Sequence, residues 1–146
     1  MKVEIRVDPA RDEAEAILYA PRVTPELEAL AKLLAEGGEE KLTVYTERGA
    51  AFVPLNDVLR IYAERQSVLA QTVDGTYAVR QRLYELEERL APHRFVRISN
   101  SEIVNARMIT GMDFSRTGTI RMSLRGGIET FASRRYVSKI RKQFDV

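Results

Sequence analysis

From Lys41 onward the chain is cut into short apolar segments with two-residue periodicity, separated by turn dipeptides, and that rhythm leaves few folds open. Leu42 to Tyr45 and Ala51 to Val53 flank Arg48-Gly49. Val58 to Ala63 and Val68 to Val73 follow, then Asp74-Gly75, a strong two-residue hairpin turn, and Thr76 to Val79. Phe95 to Ile98, Met108 to Phe114, Thr119 to Leu124 and Ile128 to Phe131 complete the series, with turns at Thr117-Gly118 and Gly126-Gly127. Helical spacing appears at Leu83, Leu86 and Leu90, and again after Ser133, where Tyr136, Val137 and Ile140 point inward. About eight short strands with one helix among them and one at the end indicate antiparallel β rather than βαβ architecture.

Residues 1–40 follow another pattern. Lys2 to Val7 alternates and ends at Asp8-Pro9; Ala16 to Ala20 is a second apolar run closed by Pro21, so the two are expected to form a hairpin. Thr24-Pro25-Glu26 reads as helix cap, first-turn proline and first-turn acid. The helix carries Leu27, Leu30, Ala31 and Leu34 on one face and ends at Gly37-Gly38. This β–β–α head is small for an independent core, so its leucine stripe has to pack on the body or on a second copy. The expected division is therefore a head, 1–40, and a body, 41–146; the whole is mainly β, α+β overall.

Charge separates the same two parts. Residues 1–40 carry 5 Lys/Arg against 10 Asp/Glu, a net of −5, whereas 41–146 carry 18 against 11, a net of +7. An acidic head on a basic body implies a polyanion for the body and a different role for the head. There is no cysteine, hence neither disulfide nor thiolate chemistry, which fits a reducing compartment; no signal peptide or membrane-spanning run is expected, and the chain reads as cytoplasmic.

Enzyme signatures are missing. The one histidine, His93, stands beside Pro92 with no evident catalytic partner, and Gly126-Gly127 lies between strands rather than before a helix. No cofactor or small-molecule substrate is implied. Three basic or amide-bearing segments remain: Arg65-Gln66-Ser67, Arg97-Ile98-Ser99-Asn100-Ser101 and Ser133-Arg134-Arg135-Tyr136. Two arginines at the positive end of a helix dipole are unfavourable unless an anion shares the site; pairing with a carboxylate such as Glu129 is the alternative. Asn100 has the donor–acceptor amide that reads adenine, with an Asx-turn as the competing explanation; Gln66 shares both the capability and the ambiguity.

Phe95 to Asn105, followed by Thr117-Gly118-Thr119, Gly126-Gly127 and Ala132-Ser133-Arg134-Arg135-Tyr136-Val137, resembles the LytTR family of bacterial DNA-binding domains over roughly residues 41–146. The resemblance implies an elongated antiparallel fold of three sheets that puts loops, not a recognition helix, into successive major grooves. It assigns base contacts to Gln66, Asn100 and Arg135, with Ser67, Arg97, Ser99, Ser101 and Arg134 as phosphate or supporting contacts, and makes Asn105 a turn-holder. Forty residues are too few for a receiver domain, since domains rarely fall below about 50 residues. The head is similar to that of stand-alone family members, many of them restrained by a small membrane protein.

The expectation is a sequence-specific double-stranded DNA-binding transcriptional regulator, not an enzyme, whose Leu27, Leu30 and Leu34 build a homodimer or an intramolecular cap. The alternative is an interaction module whose basic face meets an acidic partner such as a membrane regulator. An RNA-binding β protein is disfavoured by scarce aromatics, Phe95, Phe114 and Phe131 being at strand positions suited to core.

Overall fold

The computed structural model describes residues 1–35 and 40–146, in two units that divide between residues 39 and 40. In the first unit Thr24 caps α1 (Pro25–Ala35) as expected: its hydroxyl accepts from the Leu27 N–H at 3.2 Å. The expected helix stop at Gly37-Gly38 lies outside the described residues. The expected hairpin is not formed. Residues 1–23 contain no strand, and Val3, Ile5 and Val7 are 80%, 89% and 88% exposed. A lone two-stranded hairpin is marginal in water, and alternation supplies the pattern of a strand without its partner.

The second unit holds β1 (Lys41–Thr46), β2 (Gly49–Pro54), β3 (Val58–Glu64), β4 (Ser67–Thr72), β5 (Thr76–Val79), α2 (Leu83–Leu90), β6 (Phe95–Ser99), β7 (Glu102–Asn105), β8 (Ile109–Phe114), β9 (Ile120–Leu124), β10 (Ile128–Ala132) and α3 (Arg134–Phe144). All strand pairs are antiparallel. They form two sheets, not three: β2-β1-β5-β4-β3-β7-β6 and β10-β9-β8. The β1–β2 hairpin joins the longer sheet through a single pairing, Tyr45 with Ala78, so one thin seam turns two expected sheets into one.

The β6–β7 hairpin separates two cores. Phe95 and Ile103 face the first, with Leu42, Val44, Val58, Ile61, Ala70 and the α2 leucines Leu83, Leu86 and Leu90. Val96, Ile98 and Val104 face the second, with Ile120, Met122, Leu124, Ala132 and Ile140 of α3. Each fully buried Leu or Ile contributes about 1.5–3 kcal/mol. The sequence pattern does not reveal β7 because all four of its residues are buried, which erases the alternation. Asn105, the last of them, donates to the carbonyls of Val58 (2.9 Å) and Leu55 (3.3 Å) and accepts from the Arg107 N–H at 3.1 Å, the turn-holding role anticipated for it.

Two aromatic expectations fail. Phe95 is buried, but Phe131 is 60% exposed and Phe114 is also exposed. Phe131 lies opposite Arg121 in the β9–β10 register, and its neighbours Thr130 and Ala132 take the inward positions. Phe114 instead carries the Arg141 guanidinium 4.4 Å above its ring.

Candidate nucleic-acid interface

Three segments flagged in the sequence meet at one end of the seven-stranded sheet. The β3–β4 turn consists of Arg65 and Gln66, both at positive φ (48° and 67°). That is the geometry of a two-residue primed hairpin turn, where Asn-Gly is the favoured occupant. Two bulky residues in the left-handed region tolerate strain that glycine would avoid. Gln66 and Ser67 are exposed there.

The β6–β7 turn stands beside it. β3 pairs with β7, Tyr62 opposite Glu102, and the Ala63 N–H donates to the Ser101 carbonyl at 2.8 Å. Within this turn the Ser99 hydroxyl accepts from the Ser101 N–H at 3.2 Å. Serine, not Asn100, therefore makes the local side-chain turn. Arg97 holds the turn from beneath: its side chain is only 11% exposed, and it donates to the carbonyls of Ser99 and Asn100, both at 2.6 Å. Its remaining edge pairs with Glu87 of α2 at 2.9 Å, so its donors are engaged within the chain.

The third segment is the start of α3. The Ser133 N–H donates to the Ile98 carbonyl at 2.9 Å, and the Tyr136 hydroxyl donates to Asn100 Oδ1 at 3.1 Å. These two bonds fasten the helix start to the β6–β7 turn. With Oδ1 engaged by Tyr136, Asn100 keeps its amide N–H donors and one oxygen lone pair for an outside partner. Ser133 occupies the cap position, but its hydroxyl makes no cap bond, contrary to its expected role. Arg134 and Arg135 are exposed, and among the described residues neither forms an ion pair; the alternative pairing with Glu129 is not made. An uncapped helix start bearing two unpaired guanidiniums favours an anion. Arg134 also leans over the β8–β9 turn, where a side chain at Gly118 would meet its aliphatic part at 3.8 Å.

No sequence pattern marks Glu102. Glu102 is buried between the sheets; its Oε1 accepts from Thr130 of β10 at 2.8 Å and from Arg60 of β3 at 3.3 Å, while Oε2 has no partner among the described residues. Burial pushes its carboxyl above the ordinary range, against the opposing pull of Thr130 and Arg60. Its place beside the Asn100 turn makes it part of the frame beneath the interface.

The model of the LytTr DNA-binding domain matches residues 48–145. Uncharacterized HTH-type transcriptional regulators of Staphylococcus aureus strains MSSA476 and NCTC 8325 are each 28% identical over 147 residues, covering 100% of this chain and 99% of theirs. Helix-turn-helix is their designation; here, among the described residues, no two helices adjoin across a short turn. A solved LytTr DNA-binding domain from Bacillus cereus superposes with a TM-score of 0.69 at 25% identity, covering 73% of this chain and 97% of that one.

Proposed function

Because this chain belongs to the LytTR family of DNA-binding domains, we propose that it is a transcriptional regulator that reads a specific duplex site with the β3–β4 turn, the β6–β7 turn and the start of α3. Gln66, Asn100 and Arg135 contact base edges in this reading. Ser67, Ser99, Ser101 and Arg134 contact the sugar–phosphate backbone, and Arg97 holds the turn that presents Asn100. The observation that carries the reading is the bond from Tyr136 to Asn100, which joins an amide able to pair with a base to a helix start able to bind phosphate. The protein acts as a homodimer built on Leu27, Leu30 and Leu34.

Genomic footprinting of the wild-type protein identifies the site, and Arg135→Ala then tests the reading. The substitution is expected to weaken that site by about 1–3 kcal/mol and to relax preference at one base pair. A variant that binds all sequences as the wild type does would remove the case for Arg135. Sparing duplex binding after both Asn100→Ala and Arg135→Ala would instead favour an acidic protein as the partner of this face.

A further inference from the structure

Arg80 and Arg89 are assigned no role by the three reading segments, yet they stand at the same end of the sheet. β4 pairs with β5 at Val68 and Val79, so the next position places Arg80 opposite Ser67, directly after the β3–β4 turn. β1 pairs with β5 at Tyr45 and Ala78, which puts Thr43 on the other flank of Arg80. Thr43, Tyr45, Arg80, Gln81 and Arg89 line one open groove.

Both guanidiniums in this groove are pre-positioned by neutral groups. Arg80 lies over the Tyr45 ring, 3.8 Å from its centre, which fixes the plane of the guanidinium and leaves its N–H edges open. Arg89 reaches from α2 to Gln81 Oε1 at 2.9 Å and to the Lys41 carbonyl at 3.3 Å. Among the described residues neither has a carboxylate within 4.0 Å. On the row of Arg80 the acid indicated by the register is Glu64, two strands away and so roughly 10 Å distant. Two oriented guanidiniums in one groove, neither ion-paired among the described residues, match the charge and fork geometry of a phosphate.

Resting on the proposed DNA-binding reading, we infer that the Arg80–Arg89 groove is a fourth, sequence-blind contact, which grips a backbone phosphate beyond the bases read by Gln66. It lengthens the footprint on the β5 side and sets the register of the β3–β4 turn on the duplex.

The test measures fluorescence anisotropy of wild type, Arg80→Gln and Arg80→Lys on the footprinted site and on a mixed-sequence duplex over a range of salt. Arg80→Gln is expected to weaken both duplexes by the same factor and to lower the slope of log affinity against log salt by about 1. Arg80→Lys keeps the slope. Trimming the duplex on the β5 side abolishes the difference between wild type and Arg80→Gln. An unchanged slope for Arg80→Gln, or a loss confined to the footprinted site, overturns the inference. Failure of the wild-type protein to bind either duplex sinks the DNA-binding reading itself, so the two failures are told apart.

Discussion

At the scale of single residues, the interface combines strain with restraint. Gln66 occupies a left-handed position that costs a side-chain-bearing residue about 1–2 kcal/mol. Gln66→Gly is therefore expected to raise stability by up to about 1 kcal/mol, after the extra chain entropy of glycine, while lowering affinity for the footprinted site. Urea unfolding beside a binding titration checks both; a gain in stability with unchanged affinity would count against base contact by Gln66. Tyr136→Phe keeps the ring and removes only the hydroxyl that donates to Asn100. Its expected effect is a several-fold loss of specific affinity with stability within about 1 kcal/mol of wild type, the worth of one hydrogen bond. Amide and guanidinium chemistry beside turn residues singled out the three candidate segments, and the family resemblance supplied the proposed role of each residue. The inward turn of Arg97 was not, because its partner Glu87 is ten positions away on another element.

At the scale of elements, β7 contributes to both cores of the body, and the buried Glu102 is its chemical weakness. Held between Thr130 and Arg60, this carboxyl has its pKa raised by burial from the ordinary value of 4.5. The folded protein thus holds this proton more tightly than the unfolded chain does. The stabilising contribution is greatest below pH 4.5 and is lost as pH rises through the raised folded value. Glu102→Gln removes that dependence. Chemical unfolding from pH 4 to 8 should show wild type losing stability relative to the variant as pH rises, with a slope no steeper than about 1.4 kcal/mol per pH unit. Parallel curves would mean that Glu102 titrates normally. Period-two alternation located every strand with one buried and one open face. It missed β7, which is enclosed by two cores, and it overcalled the residue 1–23 segments, whose alternating apolar residues have no partner strand within the described residues.

At the scale of the whole molecule, charge and exposure divide the labour. The body carries the basic excess and both cores, whereas α1 has no fully buried residue. A helix with an apolar stripe and no buried face is only marginally stable alone, which is why the dimer is proposed there. Leu30→Glu is expected to convert a dimer to a monomer in sedimentation while the unfolding transition of the body persists; an unaltered mass would refute the dimer through this stripe. What the linear order of residues determined by itself was the class of fold and a polyanion as partner, which the family motifs narrowed to duplex DNA. Strand rhythm, turn dipeptides and charge segregation are local properties, readable without knowing which segments meet. Only the tertiary structure decided that three sheets become two and that an amide, a strained turn and an uncapped helix start share one end of a sheet. Those outcomes depend on register and on hydrogen bonds between residues far apart in sequence, and such pairings are settled by competition among all the strands at once.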